Sequence, residues 1–371
     1  MKRRKLSLLD ILVRLLALGL IIALVLGSLA GYVDPRKSKY IAFFGLAYPY
    51  ILLLNIFMAS WWVIRRRWVL VFVTVLIIGT GWNALTATFR FTGEEGQGPK
   101  GDTSLVRMMT YNVHNFKPFD EDGNDDSVRS QILNLIKAEN PDIIALQEYF
   151  SRKKGNFDMT DSLQEALNTP YFYFYPANGN DYEASGLAIF SKYPIKDKGY
   201  IDFDGTHNGN ASIYVDLKIK KKTLRVYNVH LQSISFGPKD YKYINRVKEH
   251  LEPEIRPSKR ILFMLNMAFK KRSKQVDIMK AHMDSCTTSF LIAGDFNDTP
   301  ASYAVTQLTS KLNKSFDEQG KGLGRTYNGK FPNFQIDYIA TTKDIEIMNH
   351  LVKPARLSDH FPVRADLRFD P

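Results

Sequence analysis

The sequence predicts an α+β protein in which two β-sheets pack face to face with helices outside, preceded by a membrane region of three helices. Its first ninety residues hold three long apolar runs, Ile11–Val33, Ile41–Ile64 and Trp68–Leu85. Each run is close to the roughly 20 residues that a bilayer-spanning helix needs. After residue 104, short apolar runs alternate with amphipathic stretches, and many predicted strands follow one another without a helix. This mixture favours two packed sheets.

The apolar runs within residues 1–90 have two other interpretations. A soluble helical bundle would need polar stripes at helical spacing, but these runs are apolar all round. A cleavable signal peptide could account for the first run, with Lys2 to Lys5 as its basic start, but not for the two runs that follow. We therefore expect a multi-pass integral membrane protein whose partner is the lipid bilayer.

Basic residues around the three runs predict the orientation of the chain. Because cytoplasmic flanks carry an excess of Lys and Arg, the richer side is expected in the cytoplasm. That side contains the N-terminus, and three spans are an odd number, so everything after Leu85 is expected outside the cytoplasm. The richer side holds Lys2, Arg3, Arg4, Lys5, Arg65, Arg66 and Arg67, and the other holds Arg36, Lys37, Lys39 and Arg90.

The net charge of +12 does not by itself indicate nucleic-acid binding. The first 104 residues hold 13 Lys+Arg against 5 Asp+Glu, an excess that contact with anionic lipid explains. In the remainder, residues 237–285 hold 12 Lys+Arg against 6 Asp+Glu, so a basic patch would be local. The single cysteine, Cys286, leaves no disulfide to expect and fits either redox compartment.

Residues 91–104, FTGEEGQGPKGDTS, are rich in glycine and charge and predict a linker between the membrane region and a domain over residues 105–371. Strands are expected at 106–113, 143–147, 171–175, 186–191, 212–219, 224–231, 290–293, 335–340 and 363–369. Helices are expected at 127–139, 161–167, 239–251, about 261–284, and 301–308.

Polar residues end several of these strands. The apolar strand in SFLIAGDFNDTP ends on Asp295 and Asn297, either because a turn follows or because a site lies there. Asn112, in MMTYNVHNF, has the same two explanations. Asp337 stands inside the apolar stretch QIDYIA, where a carboxylate must be paired. Other polar strand ends are Gln147 and Glu148 in IIALQEYF and Asn228 and His230 in YNVHLQ, whereas Asp359 and His360 in SDHFPV come just before the last strand.

Together and in this order, the motifs resemble the endonuclease/exonuclease/phosphatase superfamily of metal-dependent phosphoesterases. The resemblance spans nearly all of residues 105–371. Its matching motifs are Asn112 after the first strand, QE, SGLAIFSKYPI, NVHL, GDFN, IDYI and SDHFPV. GDFN alone would be a weak signal, whereas the ordered set is specific. The resemblance implies a four-layer α/β sandwich with its site at one end of the two sheets. It also implies a phosphoesterase that uses Mg²⁺ or Mn²⁺.

Roles for individual residues follow from the same resemblance. Glu148 and Asn112 would hold the divalent cation, with Asp359 as a further ligand, since hard cations prefer carboxylate and amide oxygens. Asp295 would orient or deprotonate the attacking water. Asn297 would donate a hydrogen bond to a phosphate oxygen.

The resemblance also assigns the histidines. His360 would stabilise the pentacoordinate phosphorus or move a proton, while Asp337 holds its ring and favours the charged form. His230 resembles the second histidine that nucleases and sphingomyelinases of the family place near the leaving group. A lone histidine is more often a hydrogen-bonded core residue. Glu183 could orient His230.

The motifs predict the reaction class and leave the ester open. We expect hydrolysis of a phosphodiester, in a nuclease-type reaction by in-line attack of water. One alternative is a lipid phosphoesterase resembling sphingomyelinases or phosphoinositide phosphatases, and another is a catalytically silent, membrane-tethered binding module. The basic helical segment 236–284 either borders the site or presents a solvated face. Nothing in the sequence predicts a protein partner.

Overall fold

The computed structural model describes residues 7–118, 125–203, 205, 209–250, 252–329, 332 and 334–369. The N-terminal region contains the helices α1 Leu8–Leu29, α2 Ile41–Leu46, α3 Tyr48–Ile64, α4 Trp68–Thr80 and α5 Trp82–Thr88. The later helices are α6 Asp125–Glu139, α7 Met159–Leu167, α8 Pro238–His250, α9 Ile255–Asp284, α10 Tyr303–Thr309 and α11 Ser315–Gln319. The strands are β1 Val106–Asn112, β2 Ile143–Arg152, β3 Tyr171–Gly179, β4 Glu183–Ser191, β5 Ile195–Asp202, β6 Ala211–Ile219, β7 Lys222–His230, β8 Phe290–Asp295, β9 Asn313–Lys314, β10 Asp337–Thr341, β11 Ile345–Ile347, β12 Leu351–Val352 and β13 Val363–Phe369.

The strands form two mixed sheets that pack face to face. The first has the order β11-β13-β1-β2-β4-β3, with β12 paired to β13, and the second has the order β5-β6-β7-β8-β10-β9. An apolar cluster fills the space between the sheets, a second lies under α9 and α10, and a third lies under α6 and α7. The expected sandwich of two mixed sheets flanked by helices is therefore confirmed.

Side-chain alternation explains why these segments are strands. In β6, alternate residues such as Ile213, Val215 and Leu217 belong to the core between the sheets, as the two-residue period of a strand requires. The central strands β1 and β8 are buried at every position. Both of their faces are covered, one by the opposite sheet and the other by helices.

Some elements differ from the sequence prediction. β5, with the sequence IKDKGYID, was not expected because its charged residues give little apolar signal. The two- and three-residue strands β9, β11 and β12 are too short to show a period. β2 runs on to Arg152 past a bulge between Leu146 and Tyr149, whereas the prediction ended at residue 147.

The prediction of three transmembrane helices is wrong. Only α1, with 22 residues, is an unbroken helix long and apolar enough to cross a membrane among the described residues. The expected second span breaks at Ala47, because Pro49 begins a new helix, and leaves the 17-residue α3. The third is bent by 77° between α4 and α5, at Gly81. The orientation argument required an odd number of spans and loses that basis.

Residues 91–104 lie along the first sheet rather than forming a free spacer. Just before them, Arg90 forms a β-bridge with Gly322. The amide of His350 donates to the carbonyl of Glu94 at 2.8 Å. Lys100 Nζ donates to a carboxylate oxygen of Asp142 at 2.5 Å. The segment is thus bonded to the sandwich along its length.

Candidate active site

Strand pairing brings the polar strand ends together at one edge of the sandwich. In the parallel pair β7 and β8, the last residues, His230 and Asp295, are direct partners. Asp337 begins β10 opposite Asp295. Asn112, the last residue of β1 in the first sheet, reaches across to Asp295 with its side-chain amide at 3.2 Å. Asp295 therefore lies where the two sheets meet.

Asp295 is the centre of the hydrogen-bond network and is 1% exposed. Its Oδ1 accepts the backbone N–H of Asn297 at 2.8 Å, and its Oδ2 accepts the side-chain amides of Asn297 and Asn112 at 3.1 and 3.2 Å. Burial raises the pKa of Asp295 to about 6, although the charges of His360 and His230 oppose this. A carboxylate with a pKa near neutrality suits acceptance of a proton from water.

His360 lies between two carboxylates. Its Nδ1 is 3.1 and 2.9 Å from the oxygens of Asp337, and its Nε2 is 3.6 Å from Asp295 Oδ2. Burial lowers the pKa of His360, but the charges of Asp337 and Asp295 raise it well above its ordinary value. The buried carboxylate of Asp337 is thus paired, as its apolar surroundings require. The ring can hold a proton facing Asp295.

Asp295, Asp337 and His360 also form a buried group whose ligand atoms lie within 4.8 Å of one another. This group differs from the predicted cation ligands. Its histidine already bonds Asp337 through Nδ1, so Nε2 alone remains to face the cleft. Because both carboxylates already contact the ring, the geometry of this group suits the holding and transfer of a proton.

The three predicted cation ligands lie together in a second group. Glu148 Oε1 accepts the side-chain amide of Asn112 at 3.2 Å. Nδ1 of His114 is 3.6 Å from Glu148 and 3.5 Å from Asp359. Burial raises the pKa of Glu148, but the hydrogen bond from His114 and the charges of nearby histidines lower it to about 2. Glu148 is therefore ionised at neutral pH.

The donors of this second group fit a divalent cation in part. The carboxylate oxygens of Glu148 and Asp359 suit Mg²⁺ or Mn²⁺. Asn112 points its amide nitrogen at Glu148, while its Oδ1 accepts the backbone N–H of His114 at 3.2 Å. Its amide would have to rotate by half a turn to offer an oxygen ligand. The imidazole of His114 suits a transition metal better than Mg²⁺.

His114 had no predicted role. It lies in a short 3₁₀ turn, His114–Phe116, directly after β1. The pKa of its ring is raised by the hydrogen bond to Glu148, against the effect of burial. The only sign in the sequence that His114 belongs to the site was its position two residues after Asn112. Helical or strand periodicity does not extend into such a short turn, so it could not predict the direction of this side chain.

His230 lies beside Asp295, with its Nε2 3.6 Å from Oδ2 of the carboxylate. Its Nδ1 is 3.1 Å from the carbonyl oxygen of Gly209, which fixes the ring. Nε2 is buried and has no hydrogen-bond partner within the described ranges. Glu183 does not orient this ring as expected, because it accepts a hydrogen bond from Arg152 at 2.7 Å instead.

Asn297 differs from its expected role in this structure. Its side-chain nitrogen donates to the carbonyl of Leu231 at 3.0 Å and to Asp295 at 3.1 Å. Both amide hydrogens are therefore engaged in holding the turn and the carboxylate. Donation to a phosphate oxygen would require the release of one of these bonds.

The backbone around the site adopts unusual conformations. Glu148, His114 and Asn297 have φ angles of 50°, 46° and 53°, in the left-handed region. Each such residue costs on the order of 1 kcal/mol, so the surrounding structure must hold it in place. Gly294 is required because a Cβ there would lie 2.0 Å from the carbonyl oxygen of Val229. This accounts for the glycine of GDFN.

Two of the polar strand ends serve structure rather than chemistry. Gln147 donates to Asn228 at 2.7 Å across the two sheets. Asn228 in turn donates to the carbonyls of Leu146 and Ala188, each at 2.9 Å. These buried bonds hold the sheets in register directly behind the site.

Arg272 is a second residue whose place the sequence did not reveal. It belongs to the basic run of α9 but is buried, and its Nε donates to Asp298 at 2.9 Å. Its Nη1 donates to the carbonyl of Gln232 at 2.8 Å. The residues of the basic run therefore have two different environments. Lys271 and Lys274 are exposed, as expected for a solvated helix face, whereas Arg272 is buried and connects α9 to the turn after β8.

A cleft of about 210 Å³ opens onto these groups. Its polar floor includes His114, Glu148, His230, Asp295, Asn297, Asp359 and His360. Its apolar wall includes Leu46, Phe236, Leu265, Phe269, Phe334 and Ile336.

The two-sheet sandwich, with a buried Asp–His pair and a second carboxylate group at one sheet edge, agrees with the phosphoesterase hydrolase class that the family match shows. A family model described as the Endonuclease/Exonuclease/phosphatase family matches residues 109–360, and the chain belongs to this family. A second model, a domain of unknown function (DUF8431), matches residues 10–88. No curated protein matches the chain.

Solved structures show the same fold. The catalytic domain of human Nocturnin, with bound sulfate, is 15% identical at a TM-score of 0.50 and covers 72% of this chain and 95% of its own. A humanized TDP2 from D. rerio is 14% identical at 0.50, covering 71% and 99%. A family protein from Leptotrichia buccalis C-1013-b is 16% identical at 0.50, covering 71% and 100%.

Proposed function

We propose that the protein is a membrane-anchored hydrolase that cleaves a phosphodiester by in-line attack of water, with Mg²⁺ or Mn²⁺ as its cofactor. The observation that carries the proposal is the position of Asp295. Its Oδ2 contacts Asn112, which also contacts Glu148, and it lies 3.6 Å from His360. Asp295 therefore connects two groups. We call them the proton-transfer group, made of Asp295, Asp337 and His360, and the cation-type group, made of Glu148, Asp359, Asn112 and His114.

Different side chains of the site carry out different parts of the reaction. When bound at Glu148 and Asp359, the cation would neutralise charge on a phosphoryl oxygen. Asp295 accepts a proton from water and aligns it for attack. His360, kept protonated by Asp337, donates to a phosphoryl oxygen as charge develops there.

The leaving group faces His230 in this proposal. The Nε2 atom of His230 is buried, points at the cleft and has no partner among the residues that the structure describes. A buried polar atom without a partner is unfavourable unless a ligand satisfies it. Because Nδ1 must donate to the carbonyl of Gly209, Nε2 carries a proton only when the ring is in its charged form, and in that form it can donate this proton to the departing oxygen. Water adds to phosphorus, one P–O ester bond breaks, and the products are a phosphomonoester and an alcohol.

Exposed apolar surface supports the membrane anchor. Helix α1 is long and apolar enough to span a bilayer, and α3 and α4 pack beside it. Soluble monomers rarely expose contiguous apolar patches larger than a few hundred Å². Large apolar side chains exposed on these helices include Leu12, Leu15, Leu16, Ile22, Leu53, Leu54, Phe57, Val69, Phe72 and Val75.

The location of the catalytic part outside the cytoplasm remains part of the proposal. The basic residues Lys2 to Lys5 before α1 favour a cytoplasmic N-terminus. With α1 across the bilayer, its carboxyl end lies outside, and the catalytic part is docked on the segment that begins there. A reporter fused after Pro371 tests this, and activity of the reporter only in the cytoplasm contradicts it.

The test of the activity uses the full chain in detergent with bis(p-nitrophenyl) phosphate. We expect hydrolysis with Mg²⁺ or Mn²⁺, none with EDTA, and loss of activity in Asp295→Ala. Asp216→Ala is the control, since Asp216 pairs with Arg225 at 2.7 Å away from the cleft. No hydrolysis by the wild-type chain with either metal contradicts the proposal and favours a binding module.

A further inference from the structure

The N-terminal apolar region forms part of the catalytic cleft. Leu46, at the end of α2, lines it directly. Phe43 packs edge to face on Phe269 with the ring centroids 5.4 Å apart, and Tyr50 packs on Phe334 at 6.0 Å. Phe269 and Phe334 belong to the apolar wall. The wall is therefore built jointly by the two parts of the chain.

Polar contacts hold the two parts together beside the site. Ser273 on α9 donates to Asp34 at 2.6 Å, and Arg36 pairs with Asp277 at 2.6 Å. Thr299, two residues beyond Asn297, donates to the carbonyl of Gly45 at 3.4 Å. The segment between α1 and α3 is thus docked on α9 and on the turn after β8.

This docking places the cleft at one end of the apolar helices. The segment that docks begins at the carboxyl end of α1. At the other end of the same helices, Asp10 and Arg65 pair at 3.4 Å. If α1 crosses a bilayer, the cleft lies level with the bilayer surface next to the catalytic part.

Helix α9 carries an exposed apolar stripe next to the same wall. Leu262, Phe263 and Met267 are 50%, 63% and 40% exposed. Leu262 and Phe263 are adjacent, and Met267 lies one helical turn further on, four residues after Phe263, on the helix that supplies Leu265 and Phe269 to the cleft. Exposed leucine and phenylalanine on a helix with lysines nearby are typical of a helix that lies on a membrane surface.

Polar residues line the opposite side of the site. A groove of about 440 Å³ shares Glu148, His230, Ser233 and Ser235 with the catalytic cleft. Apart from two glycines, its other lining residues have polar or basic side chains, namely Asn115, Asn178, Ser185, Asn210, Gln232 and Lys271. Across the catalytic residues, the surface changes from apolar to polar.

We propose that the substrate is an amphipathic phosphodiester, a membrane phospholipid taken from the bilayer surface. Its acyl part lies along the apolar wall, the phosphate lies over Asp295, and the head group occupies the polar groove. This inference rests on the phosphodiesterase function proposed above. Water adds to phosphorus and one P–O bond breaks, so the products are a phosphomonoester and an alcohol.

The test reconstitutes the full chain in vesicles of phosphatidylcholine and phosphatidylglycerol in equal parts. Three rates are measured with Mg²⁺ or Mn²⁺: lipid hydrolysis, by mass spectrometry of the products, and hydrolysis of bis(p-nitrophenyl) phosphate and of a single-stranded DNA oligonucleotide. We expect lipid cleavage to exceed DNA cleavage. The products also show whether the head group or the diacylglycerol leaves.

Two variants sharpen the test. Phe263→Ser removes an exposed ring of the stripe and is expected to lower the ratio of lipid to soluble-diester hydrolysis about tenfold. Tyr171→Ser is the matched control, because Tyr171 is an exposed aromatic residue at the opposite end of the first sheet. Its ratio is expected to equal that of the wild type.

The possible results separate the two proposals. Cleavage of the soluble diester without any cleavage of lipid overturns the lipid inference and leaves the phosphodiesterase function standing. Faster cleavage of DNA than of lipid overturns it in favour of a nucleic-acid substrate. An unchanged ratio in Phe263→Ser removes the role of the stripe. Failure to cleave any of the three substrates contradicts the proposed function itself.

Discussion

The two halves of the site differ in how firmly they are assembled. In the proton-transfer group, Asp295, Asp337 and His360 are almost fully buried, and His360 bonds Asp337 at 2.9 Å. In the cation-type group, His114 stands 3.5 to 3.6 Å from Glu148 and Asp359, and these three side chains are about a quarter to a third exposed. The first group is complete without a ligand. The second is partly exposed, so its carboxylates can be reached from solvent.

The largest expected effect comes from Asp295→Asn. The substitution keeps the shape of the side chain but removes the proton acceptor, so we expect kcat to fall about 10³-fold, within the range for loss of a general base. Circular dichroism and the melting temperature are expected to change little. A loss below tenfold would mean that the proton-transfer group is not the centre of the reaction.

The next effect concerns the cation-type group. Glu148→Gln removes the ionised carboxylate, and we expect the Mn²⁺ concentration for half-maximal activity to rise by at least the roughly 10- to 100-fold that loss of a partner behind a ligand costs. Mn²⁺ binding measured by calorimetry is expected to weaken in parallel, which provides a readout independent of turnover. The control is Glu183→Gln, since Glu183 pairs with Arg152 outside the cleft. Unchanged Mn²⁺ affinity in Glu148→Gln would remove the cation from this group.

The pH profile tests the first group in a different way. Asp295 must lose its proton to act as a base, and burial raises its pKa to about 6. The rate is therefore expected to rise about tenfold per pH unit below pH 6 and to level off above it. His360 must keep its proton, and its raised pKa keeps it protonated at neutral pH, so the rate falls again only at higher pH. A rate that stays constant from pH 4 to 7 would exclude Asp295 as the base.

The smallest expected effect concerns which metal ion best supports activity. Because the imidazole of His114 suits transition metals, His114→Ala is expected to lower activity with Mn²⁺ a few-fold more than activity with Mg²⁺. His250→Ala is the control, since His250 lies on the exposed end of α8. Equal losses with both metals would show that His114 positions Glu148 without contacting the ion.

The sequence predicted most of the sandwich because its signal is repeated. Alternation in β6 and full burial in β8 appear as patterns over six or more residues. Ordered motifs then located Asp295 and His360 at strand ends, and the structure brings them within 3.6 Å. The alignment of one sheet on the other depends on contacts between residues far apart in the sequence. Only the structure therefore reveals that Gln147 and Asn228 form a hydrogen bond between the two sheets.

Other features have no periodic signal. Arg272 stands in a basic run and looks like its exposed neighbours, although its partner, Asp298, is 26 residues away. The break between α2 and α3 was visible in part, because Pro49 interrupts the apolar run. Hydropathy averaged over a long window conceals such a break, which is why three spans were expected.

The docked segment 91–104 has a further consequence. Hydrogen bonds at Glu94 and Lys100 fix the path of this segment along the sandwich, so the catalytic part cannot swing away on a long tether. Its reach is then limited to a thin layer beside the helices. If α1 crosses a bilayer and the substrate is a lipid, as proposed, the enzyme searches for substrate in two dimensions, and its rate depends on the surface density of substrate rather than on its bulk concentration.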